Sequence, residues 1–107
     1  MFTYDTLITK VVDGDTFDSL VDLGFEVHKR VRFRLYGVNC PEKTGLTRAA
    51  GEAAREATLR LIGGKIVTVQ CLKFDKYGRS VARVTIHDGR DLATVLIADG
   101  HGVPFEG

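Results

Sequence analysis

The sequence predicts an α+β fold: a five-stranded Greek-key barrel of the OB type, with one helix after strand three and a short C-terminal helix. Three observations predict it. Apolar residues alternate with period two at Val31, Phe33 and Leu35 and again at Val67, Val69 and Cys71. Between these runs, Ala50, Ala53, Ala54, Ala57 and Leu61 recur at helical spacing. Short Asp/Gly turns separate the segments, so the order reads three strands, helix, two strands, helix.

Tyr4 to Val12 is β-rich and ends at Asp13-Gly14-Asp15, a turn signal. Phe17, Val21 and Leu23 then alternate with Asp18 and Asp22, as a half-buried strand does, and Gly24 turns the chain. In the third strand Val31, Phe33 and Leu35 face a core and Arg30, Arg32 and Arg34 face outward; Pro41 then stops strand pairing. The helix sets Glu52, Arg55, Glu56 and Arg60 opposite its alanines, with Glu56 and Arg60 as an i,i+4 pair, and stops at Gly63-Gly64. Asp75 to Gly78 makes a tight connection into a fifth strand over Ser80–His87, and Asp88-Gly89 turns the chain again. Asp91 N-caps a last short helix through Leu92, Val95 and Leu96 that ends at Gly100.

At 107 residues the chain is expected to form one domain over 1–107, large enough for a core without staples. Apolar residues make up 44% and charged residues 27%, the balance of a soluble globular protein and not of a disordered tail. No apolar run approaches the ~20 residues of a membrane span, so no membrane partner is expected. Met1 to Lys10 lacks the basic and apolar regions of a secretory signal, which leads to the expectation of an intracellular setting, cytoplasmic or phage-encoded. Cys40 and Cys71 form no Cys-x-x-Cys and are read as free thiols, compatible with a reducing compartment. Collagen, coiled coil, integral membrane protein and disulfide mini-protein are excluded.

The net charge of +1 hides a segregation: residues 1–27 carry −5, residues 28–85 carry +9 and residues 86–107 carry −3. A basic middle suits a polyanion and an acidic start suits a cation, although solvated faces also differ in sign by chance.

Four stretches carry candidate chemistry. Asp13-Gly14-Asp15-Thr16 sets two carboxylates in a glycine turn, where both can face one hard cation, or simply turn a hairpin. Arg34 offers a guanidinium fork for phosphate oxygens. In Val38-Asn39-Cys40-Pro41-Glu42 the proline fixes directions; the Asn39 side chain and the Cys40 carbonyl are acceptable calcium ligands, and Glu42 can take a proton from water. Asp75-Lys76-Tyr77-Gly78-Arg79 packs two cations and an aromatic into a turn: Lys76 and Tyr77 can hold a terminal phosphate and a nucleotide ring, and Arg79 a second phosphate oxygen. His28, His87 and His101 are scattered and are read as structural or exposed. No Gly-rich phosphate loop, His-Glu-x-x-His or nucleophilic triad is present.

Taken together and in this order, the four stretches resemble the thermonuclease family, the staphylococcal-nuclease-like phosphodiesterases. The resemblance runs from about Thr9 to Val103, anchored at Val12–Thr16, Phe33–Leu35, Val38–Glu42 and Asp75–Arg79. It implies a hydrolase that cleaves DNA and/or RNA with one calcium ion and leaves 3′-phosphate ends. In it Asp15 matches a carboxylate ligand, Asn39 stands where the family has a second carboxylate, and Cys40 matches the residue that gives its backbone carbonyl to the metal. Asp13 and Thr16 match supporting positions, Glu42 the general base, and Arg34 and Arg79 the two phosphate-binding arginines. Lys76 and Tyr77 match residues that hold the nucleotide's other phosphate.

The chain departs from the family in three places. Asn39 removes one negative charge from the site the resemblance implies, so weaker or altered calcium use, rather than none, is expected. The tail after Gly100 lacks the family's stacking tyrosines and third helix, leaving Phe105 as the substrate-stacking candidate. The hairpin around Leu23–His28 is several residues longer, and its Lys29-Arg30 end either extends a phosphate track or fills surface. These departures keep a second reading open, a non-catalytic nucleic-acid-binding module on the same fold. A generic protein-interaction domain would leave the four stretches unexplained, and no obligate protein partner is evident.

Overall fold

The computed structural model describes residues 2–106. Its strands are β1 (Phe2–Asp13), β2 (Thr16–Asp22), β3 (His28–Leu35), β4 (Gly37–Asn39), β5 (Ile66–Phe74), β6 (Ser80–Thr85) and β7 (Val103–Phe105). Helix α1 (Arg48–Ile62) follows a 3₁₀ turn at Gly45–Thr47, and helix α2 (Leu92–Ala98) precedes β7. Five strands close a barrel in the order β1-β2-β3-β6-β5, with β5 pairing back onto β1. Neighbours are antiparallel except β3 and β6, which run parallel through Phe33–Ser80, Arg34–Val81 and Leu35–Ala82. The β3–β6 seam is short, so among the described residues His28–Arg32 has no partner strand on that side. The architecture is the predicted small barrel with two helices.

Strand alternation builds the interior. Ile8, Val11, Phe17, Phe33, Leu35, Val69 and Val84 are all buried, and the paired Phe17 and Phe33 rings pack 5.6 Å apart. Ala54 and Ile62 of α1 and Leu92 and Leu96 of α2 join the same core. Asp91 caps α2 as expected, its Oδ2 accepting from the Thr94 N–H at 3.1 Å. Among the described residues no helix is long and apolar enough to cross a membrane.

The structure corrects the sequence reading at four points. The inner face of α1 is Gly51, Ala54, Ala57, Thr58 and Ile62; Ala50 and Ala53 are exposed. Short alanines gave the period no sharp edge, and contacts to two loops set the helix's rotation. Leu23 lies past the end of β2 and is exposed. Pro41 does follow the last paired residue, but Gly37–Asn39 pairs with Val103–Phe105 in a two-stranded sheet, an element too short to show periodicity. The fifth barrel strand ends at Thr85, because Ile86 turns back through its N–H to the Arg90 carbonyl at 2.9 Å.

The core holds one unsatisfied polar group among the described residues: the buried Thr6 hydroxyl has no hydrogen-bond partner. Thr6→Val keeps the shape and removes that desolvated group, so it is expected to raise the unfolding free energy by about 1 kcal/mol in a urea titration.

Candidate functional site

A cavity of about 400 Å³ opens where five segments converge, and every candidate site residue from the sequence lines it. Asp13, Asp15 and Thr16 come from the end of β1, the turn and the start of β2. Arg34 comes from the last turn of alternation in β3, and Asn39, Cys40 and Glu42 from the end of β4 and the loop after it. The β5–β6 hairpin supplies Lys76, Tyr77 and Arg79, and β7 supplies Phe105. Residues 13 and 105 are brought together because the barrel places β2, β3 and β6 side by side while β7 zips onto β4.

Asp15 and Arg34 form the buried centre. Asp15 is only 7% exposed, its Oδ2 accepting from the Cys40 N–H at 2.9 Å and its Oδ1 from the Thr16 hydroxyl at 3.2 Å. Arg34 Nη1 sits 3.5 Å from the same Oδ2. The sequence reading had Arg34 on a solvated strand face; instead its side chain is 12% exposed. Nη1 donates to the carbonyls of Leu35 (2.7 Å) and Val38 (2.9 Å), and Nη2 to Asn39 Oδ1 at 3.4 Å. A guanidinium has five N–H groups, so Nε–H and one Nη2–H remain for a ligand. The Phe105 ring lies 5.7 Å from Arg34 Cζ, a cation–π contact that the β4–β7 pairing holds in place.

The second arginine is held by a residue the sequence reading treated only as part of a turn. Asp75 Oδ1 accepts from the N–H groups of Tyr77 (2.9 Å) and Arg79 (3.0 Å), and its Oδ2 accepts from Arg79 Nε at 2.7 Å. Arg79 Nη1 reaches Thr16 Oγ1 at 3.5 Å, which leaves one Nη1–H and both Nη2–H groups free. The Tyr77 ring lies 5.3 Å from both Arg79 Cζ and Lys76 Nζ. The available signal was Asp at the first position of an Asp-x-x-Gly turn, where its side chain bonds backbone two residues on.

Burial alone would raise the Asp75 carboxyl, but the hydrogen bonds from Arg79 and Tyr77 outweigh it and hold the group below the usual carboxylate range. A carboxylate whose folded pKa lies below its unfolded value stabilises the fold above the unfolded pKa, near ~3.9, and loses that contribution as pH falls through the folded value. Asp75→Asn is therefore expected to lower stability at neutral pH and to flatten the loss of stability below about pH 4, measured as urea midpoints across pH.

Helix α1 buttresses two of the loops. Thr58 Oγ1 donates to the Gly14 carbonyl at 2.7 Å and Arg55 Nε to the Val11 carbonyl at 3.1 Å, fixing the turn that carries Asp13 and Asp15. A Cβ at Gly14 would come within 2.9 Å of Ala54 Cβ, so the turn and the helix approach closely only because residue 14 lacks one. Gly51 does the same for the other loop: a Cβ there would collide with the backbone of Glu42 and Lys43. Sequence reasoning passed over Gly51, although a glycine inside a helix, at ~1 kcal/mol against alanine, signals a packing reason. Glu42 itself is exposed at the cavity wall.

The cation-binding chemistry available here is oxygen chemistry. Asp13, Asp15, Asn39 and the Cys40 backbone carbonyl are hard donors of the kind calcium takes. Both cysteines are free, and burial, reinforced by Asp15, pushes the Cys40 thiol up to about 12. Among the described residues no three His, Cys, Asp or Glu side chains gather as a ready-made ligand cluster. Two carboxylates, the Asn39 amide oxygen and a backbone carbonyl make a donor set that fits a hard cation held with help from water.

The chain is 29% identical over 99 residues to an uncharacterized endonuclease of Escherichia coli O157:H7, covering 92% of this chain and 60% of that protein. The overlap is too long to omit Asp13 and Asp15. It is 35% identical over 80 residues to Protein ParB of Escherichia coli, covering 75% of this chain and 41% of that one. A 38.1 kDa uncharacterized protein of Capnoides sempervirens shares 32% identity over 76 residues, covering 62% of this chain and 22% of its own length. The chain thus spans about three-fifths of the E. coli endonuclease and less of the others. The staphylococcal nuclease homologue family matches residues 32–105, the stretch that runs from the strand of Arg34 through Glu42 and the Arg79 hairpin to Phe105, and the chain belongs to that family.

Proposed function

We propose that the protein is a calcium-dependent nuclease that hydrolyses phosphodiester bonds of DNA and/or RNA and leaves 3′-phosphate ends. One observation carries the reading: two guanidiniums with free donor pairs, a nearly buried carboxylate and an exposed glutamate share one cavity. Family membership and the name of the E. coli relative support it.

In this reading Asp15, Asn39 and the Cys40 carbonyl hold the calcium, with Asp13 and Thr16 in support. When bound, that ion supplies positive charge beside the phosphate. The rest of the chemistry belongs to the chain. Arg34 through Nε and Nη2, and Arg79 through its terminal nitrogens, take the non-bridging oxygens and neutralise charge that grows as water attacks in line. Glu42 accepts the water's proton. The new P–O bond forms as the bond to the 5′-oxygen breaks, and that oxygen leaves with a proton from solvent. Lys76 and Tyr77 hold a neighbouring phosphate, and Phe105 offers a face for a base. Most contacts are to backbone charge, so little base selectivity is expected.

The second reading, a binding module without turnover, is favoured by Asn39, which costs the site a formal charge. Supercoiled plasmid and a small RNA, incubated with calcium, magnesium or chelator, separate the two. Degradation with calcium that stops on chelation supports the nuclease; salt-sensitive binding with no product at any calcium level supports the module.

A further inference from the structure

A second cavity, about 390 Å³, lies at the mouth of the barrel and is not used by the chemistry above. Its size falls in the ~300–1,000 Å³ range of small-molecule sites. Its walls are aromatic and aliphatic, with Phe2 72% and Phe74 76% exposed, and Tyr4 stacked against Phe2 at 6.4 Å. Exposed phenylalanines on a rim of this kind mark an interaction surface. The charged side chains that line it are Lys29 and Lys73; no carboxylate does. Apolar ring faces and two lysines lining one cavity suit a base and its phosphate, the combination by which single strands are bound without sequence preference.

The mouth also adjoins the candidate site through shared elements. The β5–β6 hairpin gives Lys76 and Tyr77 to one cavity and Lys73 and Phe74 to the other. On β3 and β6, Arg34 and Val81 line the first, while their neighbours Phe33 and Ser80 line the second. The backbones of Phe74 and Tyr77 are at most roughly 11 Å apart along the chain, so one strand of several nucleotides that crosses the hairpin can meet both, whereas a dinucleotide fills the first cavity alone.

We propose that the barrel mouth is a second nucleotide subsite, where a base of a single strand stacks on Phe74 and Phe2 and its phosphate is held by Lys29 and Lys73. The proposal rests on the nucleic-acid reading of the first cavity, and the Lys29 end of the long hairpin then extends the phosphate track.

The test is fluorescence anisotropy with labelled oligothymidylates of two and twelve nucleotides, in chelator so that nothing is cleaved, across a salt series. Phe74→Ala is expected to weaken the twelve-mer about ten-fold and to leave the dinucleotide unchanged. Lys29→Ala with Lys73→Ala is expected to reduce the salt slope for the twelve-mer by about 0.7, the value for one phosphate contact on a single strand. Tyr77→Ala, on the first cavity, should weaken both. All four substituted side chains are exposed, and circular dichroism checks the fold. Twelve-mer affinity and slope that match the wild type in both mouth variants overturn the subsite even if the enzyme cleaves. The expected losses in a protein that never cleaves support the subsite and overturn only the nuclease reading. No binding of either oligonucleotide by the wild type overturns both.

Discussion

Arg34→Ala is expected to lower the cleavage rate by ~10²–10³, the effect of removing one donor that stabilises transition-state charge. It is also expected to lower the unfolding free energy by about 3–5 kcal/mol, because it strips a buried carboxylate of its partner. The second effect follows from geometry: Asp15 is nearly buried, and Arg34 Nη1 at 3.5 Å is the cation beside it. The same guanidinium ties together the carbonyls of Leu35 and Val38, so its loss also unpins β4. The two roles separate in combination. Arg34→Ala with Asp15→Asn no longer buries an unpaired charge and should recover most of the stability, while activity stays lost. Arg34→Lys keeps the charge but not the planar fork, and is expected to restore stability more than rate. Urea midpoints and initial rates on plasmid measure both; an Arg34→Ala protein as stable and as active as wild type sinks the assignment.

Arg34 also shows what the sequence could and could not reveal. Its type and strand position were legible from period two, because Phe33 and Leu35 on either side had to face the core. Its burial was not, because the cover comes from β4 and β7, three residues each, too short for any periodic signal. The barrel was legible because three of its strands alternate over enough residues, a β-rich run precedes them, and the turns are marked by Asp and Gly. The convergence of Asp15, Arg34, Glu42 and Arg79 was legible only through the resemblance: spacing alone does not bring residues 15 and 79 together, and the parallel β3–β6 pairing that does so is a tertiary choice. Asp75 and Gly51 were missed for a common reason. Each acts on another residue, one by hydrogen bonds and one by having no side chain, and neither presents a functional group of its own to the cavity's chemistry.

Glu42→Gln is expected to cut cleavage by ~10²–10⁴ while oligonucleotide binding stays near wild type, since a general base contributes to the proton transfer and not to phosphate affinity. Gly51→Ala offers an independent route to the same loss with the glutamate still present. Alanine favours a helix interior over glycine by about 1 kcal/mol, and α1 would gain from it in isolation. In the folded protein the new methyl occupies the space of the Glu42 and Lys43 backbone, so the loop must move away from the helix. A displacement of about 1 Å is enough to cost ~10² in a positioned reaction. The prediction is therefore a stable, helical Gly51→Ala protein that binds strands but cleaves poorly, and a double variant with Glu42→Gln no slower than Glu42→Gln alone. Losses that multiply in the double variant would mean that Gly51 acts on something other than Glu42. An undiminished rate in Glu42→Gln would mean that the proton of the attacking water goes elsewhere.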